Sequence, residues 1–139
     1  MFSAKRLDHV TLSVTDLKEA AGTWQRTLGL RPDTLIEPHG SHPRLGSLPL
    51  GDAFVELVQP LAGAAAAPGE GMLSISIEVD DLAAAVAGLR RRGVVVSDPQ
   101  EGPWLATQVA HISPKSAHGV PIELVSRLAG PEGADKPEE

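Results

Sequence analysis

Residues 7 to 14 alternate along the chain: Leu7, Val10, Leu12 and Val14 are apolar, and His9, Thr11 and Ser13 are polar. A period of two sends successive side chains to opposite faces, so this stretch predicts a half-buried strand whose apolar side packs under a helix. The helix follows at once: Asp16 reads as its N-cap, Leu17, Ala20, Ala21, Trp24 and Leu28 recur at helical spacing, and Gly29 ends it. Shorter extended pieces are expected at 31 to 37, 43 to 50 and 53 to 59, with turn residues between them. The order then returns. Ile75, Ile77 and Val79 form an apolar strand face opposite Ser74, Ser76 and Glu78. Asp80 or Asp81 caps a helix carrying Leu82, Val86 and Leu89, and Gly93 closes it. Extended pieces are expected again at 94 to 97, 105 to 113 and 120 to 126.

The return is nearly literal. His9-Val10-Thr11-Leu12-Ser13-Val14-Thr15-Asp16-Leu17 lays without gaps on Ser74-Ile75-Ser76-Ile77-Glu78-Val79-Asp80-Asp81-Leu82, an offset of 65 residues from His9 to Ser74. Val55-Glu56-Leu57-Val58 matches Ile122-Glu123-Leu124-Val125 at an offset of 67. Each copy is then a βαβββ module whose sheet has one face under its helix and one uncovered. The expected fold class is α+β: two tandem modules, 6–60 and 72–126, forming a curved mixed sheet around a cavity. Residues 1–128 are expected to make one domain, with a small-residue linker over 63–71 and a disordered acidic tail over 129–139.

Composition narrows the partners. With no cysteine among 139 residues there is no disulfide framework and no thiolate metal site. The formal charge of −6 carries no basic stripe beyond Arg90-Arg91-Arg92, which reads as a solvated helix end, so nucleic acid is not an expected partner. No apolar run is long enough for a membrane span, and a cytoplasmic protein is expected. Only 3% of residues are aromatic, with no tyrosine, which argues against a pocket of stacked rings. Open modules leave sheet edges that need covering, so a homodimer is expected.

Strand parity places Glu56 and Glu123 on the uncovered faces, opposite the apolar pairs Val55, Leu57 and Ile122, Leu124. His9 and Ser74 fall there by the same argument. Two carboxylates brought near one another out of water call for a cation: a protonated His9, Arg44 or a metal. Oxygen-rich ligation with one imidazole suits Mn, Co, Mg or Fe(II); a water-wet strand face is the alternative. Counting back from Pro114 puts Gln108 and Ala110 on the cavity side as well, making Gln108 a candidate substrate contact, and sends Val109 and His111 to the other side. His39 and His42 lie in a Gly- and Pro-rich loop, as ordinary surface or as a replacement proton-transfer base. His118 lies in a turn and receives no role.

The phrases Leu7-Asp8-His9-Val10-Thr11-Leu12-Ser13-Val14-Thr15-Asp16-Leu17, Glu56-Leu57-Val58-Gln59-Pro60-Leu61 and Ser113-Pro114-Lys115-Ser116-Ala117-His118-Gly119-Val120-Pro121-Ile122-Glu123-Leu124 resemble those of the vicinal oxygen chelate superfamily. That group includes glyoxalase I, extradiol dioxygenases, fosfomycin-resistance proteins and bleomycin-binding proteins. The resemblance runs along residues 6 to 126 and is greatest to its methylmalonyl-CoA epimerase branch. It implies a divalent metal (Mn, Co, Ni, Zn, Mg or Fe(II)) with ligands at His9, Glu56, Ser74 and Glu123, of which Ser74 departs from the family's histidine. It also implies a carboxylate base in the middle strands of the first module, yet no Asp or Glu occurs between Glu37 and Asp52.

The function so implied is a small-molecule enzyme, an isomerase or lyase, that transfers a proton next to a carbonyl with metal assistance. His9, Glu56 and Glu123 would be ligands, Glu123 and His9 the groups at the chemistry, and Ser74, Gln108, Arg44 and Glu56 the substrate contacts. Two alternatives stand beside it: a non-catalytic small-molecule binding or sequestration protein of the bleomycin-resistance type, and a metal-free lyase or isomerase using Glu123 and His9 as an acid and base pair. The lost ligand and missing base favour the binder; the shortage of aromatics argues against a planar drug as its ligand.

Overall fold

The computed structural model describes residues 2–62 and 69–128, so the tail expected over 129–139 and residues 63–68 of the linker lie outside the described residues. The elements run β1 (Arg6–Ser13), α1 (Leu17–Leu28), β2 (Thr34–Ile36), β3 (Arg44–Leu50), β4 (Ala53–Gln59), β5 (Gly71–Glu78), α2 (Leu82–Arg91), β6 (Gln100–Glu101), β7 (Thr107–Ile112) and β8 (Ile122–Arg127), with a short 3-10 turn at Pro114–Ser116 between β7 and β8. This is the βαβββ order twice. The chain divides into two compact units, one of residues His9–Ser74 and one of the described residues before His9 and from Ile75 onward.

In the first unit the strands lie in the order β2-β3-β4-β1, with β1 parallel to β4 and the other pairs antiparallel. Alternation decides which face α1 covers. Val10, Leu12, Leu48, Val55 and Leu57 point toward it and pack with Leu17, Ala21 and Trp24. The Asp16 side chain accepts from the Glu19 amide at 3.0 Å, and Gly29, at φ 73°, donates back to the Gln25 carbonyl, so both predicted helix boundaries form as caps. The helix lies close on the sheet at Gly46: a Cβ there would sit 3.1 Å from Leu17 Cδ2 and 3.2 Å from Leu35 Cδ2. Beyond β1, Thr15 donates through its amide (3.1 Å) and hydroxyl (2.9 Å) to Glu70, and these bonds hold that carboxyl below its ordinary pKa.

The second unit repeats the arrangement in the order β5-β8-β7-β6, with β5 parallel to β8. Val79, Ala110 and Leu124 pack with Leu82, Ala85 and Val86 of α2, flanked by Ile77, Ile112 and Ile122. Asp81, rather than Asp80, is the cap, accepting from the Ala84 amide at 3.0 Å. The Arg90 side chain turns back to the Val96 carbonyl and to Asp98, both at 2.8 Å. The strand expected at 94 to 97 is reduced to one isolated bridge, Val96 to Ile112, and the ladder on β7 is taken by β6. Pro99 explains the break, since it has no amide hydrogen to offer between the two pieces. Asp8, 1% exposed, is clasped by Arg6 at 3.0 Å and Arg127 at 2.8 Å, while Arg6 Nε also reaches Glu78 at 2.8 Å. Among the described residues, no helix is long and apolar enough to cross a membrane.

Candidate functional site

The face of the first unit's sheet turned away from α1 carries His9 and Thr11 from β1, Phe54 and Glu56 from β4, and Ser47 from β3. Register sets the neighbours: His9 lies opposite Phe54, Thr11 opposite Glu56, and Ser47 opposite Glu56 from the other side. His9 is 2% exposed and Glu56 6%, so both are withdrawn from bulk water. The His9 ring stacks on Phe54, centroids 4.4 Å apart, which fixes its plane, and its Nε2 lies 3.8 Å from Glu56 Oε1. Thr11 donates its hydroxyl to the same Oε1 at 2.7 Å. This bond fixes the orientation of the Glu56 carboxyl group on the sheet face.

The corresponding face of the second unit carries Ser76 from β5, Glu123 from β8 and His111 from β7. Ser76, fully buried, donates to Glu123 Oε1 at 2.7 Å, the same length as its counterpart in the first unit. Thr11 and Ser76 are equivalent by the repeat offset of 65, so the hydroxyl that steadies the glutamate is duplicated with it. The imidazole is not. Ser74, half-buried on β5, stands where His9 stands in the first copy. In the second unit the ring comes from the opposite flank: His111 lies directly across from Glu123, in the position that Ser47 holds across from Glu56. His111 Nε2 is 3.2 Å from Glu123 Oε2, and this bond raises the imidazole pKa above its ordinary value against the opposing effect of partial burial.

Three expectations about faces are corrected. His111 shares the face of Glu123, because cross-strand partners point the same way, and Gln108 shares the other face with Ala110, which is buried in the core beneath α2. Arg44 likewise falls on the face of Gly46 and Leu48, toward α1, and its guanidinium pairs with Glu37 at 3.0 Å instead of meeting Glu56. The counting back from Pro114 failed on β7 because the register of a hairpin depends on its turn, and the turn into β8 contains a 3-10 segment and a left-handed His118. His39 and His42 stack on one another at 4.8 Å in an exposed bridge of their own. The sequence reading missed Thr11 and Ser76 as partners of the glutamates, although their positions two residues after the His9 and Ser74 pair of the repeat, on the same strand face, carried the signal.

One ion bound at ~2.1 Å by an imidazole nitrogen and a carboxylate oxygen allows those donors to lie up to about 4.2 Å apart. The separations of 3.8 Å for His9 with Glu56 and 3.2 Å for His111 with Glu123 fall inside that span. Carboxylate oxygens beside an imidazole nitrogen are a donor set that a hard or borderline divalent ion takes. Among the described residues no group of three or more His, Asp or Glu side chains is gathered that could hold a metal ion.

Comparison with known proteins gives this pattern its context. Over 127 aligned residues the chain is 28% identical to the mitochondrial methylmalonyl-CoA epimerase of Mus musculus, covering 86% of this chain and 71% of that protein. The methylmalonyl-CoA epimerase of Mycobacterium tuberculosis has a structure similar to this one, with a TM-score of 0.80 at 28% identity, covering 94% of this chain and 93% of that one. A variant of the Streptomyces coelicolor methylmalonyl-CoA epimerase in complex with 2-nitronate-propionyl-CoA is similar at a TM-score of 0.80 and 26% identity, covering 91% of this chain and all of that one, 100%. The glyoxalase/bleomycin resistance protein/dioxygenase family model matches residues 8–109. With its two βαβββ modules and the match across both, the chain belongs to the glyoxalase/bleomycin resistance protein/dioxygenase superfamily.

Proposed function

We propose that this chain is a small-molecule enzyme of the isomerase type, resembling methylmalonyl-CoA epimerase, which moves a proton beside the carbonyl of a coenzyme A thioester with a divalent ion bound. The observation that carries this reading is the buried His9–Glu56 pair, retained within a chain whose likeness to the epimerases runs over 86% of its length. His9, Glu56 and Glu123 are assigned as ligands. Thr11 and Ser76 each donate a hydroxyl to one of the two carboxylates and so fix its orientation. Ser74, with a short hydroxyl in place of an imidazole, is left to water or a substrate oxygen. A bound divalent ion would supply positive charge for the oxyanion that develops as the proton leaves. The protein is proposed to work as a homodimer, so light scattering should report about twice the 14.5 kDa chain mass.

The deciding experiment is proton exchange at the carbon between the two carbonyls of methylmalonyl-CoA, followed by mass spectrometry in D2O. Exchange that requires Co(II) or Mn(II), stops on chelation and is lost in Glu56→Gln supports the reading. Exchange that survives chelation would instead place Glu123 and His9 in a metal-free acid–base role. Saturable binding of the thioester without any exchange would make the chain a sequestration protein.

A further inference from the structure

We propose that His111 is the imidazole donor of the second module, replacing the one that Ser74 lacks. The inference rests on the metal-assisted reading above and extends its ligand set to a residue outside the repeated ligand positions. Its basis is the equivalence of the two glutamates. Each sits in the last strand of its module, and each accepts a hydroxyl at 2.7 Å from the residue two places after the strand-opening position. Each also has a second strand on its other side, whose facing residue is Ser47 for Glu56 and His111 for Glu123. In the first module the strand-opening flank carries the imidazole and the facing flank the serine. In the second the two have changed places.

The geometry suits a ligand. His111 Nε2 and Glu123 Oε2 are 3.2 Å apart, which one ion can bridge. His111 is about half exposed at 51%, so its ring has room to turn, and Glu123 at 15% is held from behind by Ser76. A purely structural hydrogen bond would need only a donor, whereas ligation needs the ring nitrogen lone pair. His111→Gln separates the two, since glutamine keeps an N–H for Glu123 and carries no imidazole.

The test uses the full chain stripped of metal and titrated with CoCl2 at fixed pH, with calorimetry for affinity and paramagnetic proton NMR to count the shifted imidazole N–H signals of coordinated histidines. Wild type is expected to show a shifted imidazole signal that His111→Gln loses together with at least tenfold in affinity, and the double variant His111→Gln, Ser74→His is expected to regain both a signal and the affinity. A His111→Gln variant that keeps every shifted imidazole signal of wild type, or that binds cobalt with unchanged or tighter affinity, overturns the proposal and leaves the metal-assisted reading standing. A wild type that takes up no cobalt overturns both. Far-UV circular dichroism confirms that the variants fold, and His111→Ala, lacking any donor, must weaken cobalt binding at least as much as His111→Gln.

Discussion

At the scale of the residue, the two hydroxyl-to-glutamate bonds are the clearest test of how the site is held. A hydrogen bond to a charged group contributes on the order of 1.5–3 kcal/mol when buried. Thr11→Val keeps the shape of the side chain and removes the donor to Glu56, so urea denaturation should show a loss of about 1–3 kcal/mol. Ser76→Ala should cost less, because the Glu123 side chain is 15% exposed against 8% for the Glu56 side chain and water can take the vacated place. His111 gives a pH signature in the metal-free protein. Its pKa is raised in the folded state by Glu123, so its stabilising contribution is complete below the unfolded value of about 6.5 and disappears as pH climbs past the raised one. Stability of wild type relative to His111→Gln should therefore be larger at pH 6 than at pH 8.5, and NMR titration of Glu123→Gln should return the ring toward its ordinary value. The positions of Glu56 and His9 were legible because alternation alone fixes them against the apolar partners Val55 and Leu57. The role of His111 was not, since it depends on a register that only the folded turn sets.

At the scale of the element, the caps and the helix-covered faces follow from local pattern. Asp16 lies three residues before Glu19, Asp81 three before Ala84, and each accepts the amide that the spacing predicts. Asp16→Ala and Asp81→Ala should each lower stability by about 1 kcal/mol, checked by thermal or denaturant unfolding. Both helices, seven of the eight strands of the two modules and the apolar faces beneath the helices could be read this way. The failures lie where two elements set each other's phase. The segment from 94 to 97 has strand-like residues, but Pro99 and the fold-back of Arg90 onto the Val96 carbonyl leave it a single bridge. Arg44 has the charge to meet a buried carboxylate, but the one-residue phase of β3 against β4 turns it to Glu37. Composition cannot reveal a phase.

At the scale of the whole molecule, the duplicated order of strands and helices was the most legible feature, because offsets of 65 and 67 residues are visible without any structure. The charge cluster joining the two ends of the described chain was not. Asp8 and Arg127 are 119 positions apart in sequence, and nothing near either one announces the other. Breaking a buried ion pair by neutralising one partner leaves the other charge poorly compensated, although Arg127 at 36% exposure retains some water. Asp8→Asn should thus cost about 2–3 kcal/mol, below the ~3–5 expected for a fully buried pair, as read from denaturant midpoints. A strand inside a sheet has a neighbour on either side, so a glutamate on it can receive an imidazole from two directions. For a duplicated gene that is a route for drift: a histidine can arise on one flank before the other is lost, and no intermediate sequence has to pass through a module without one.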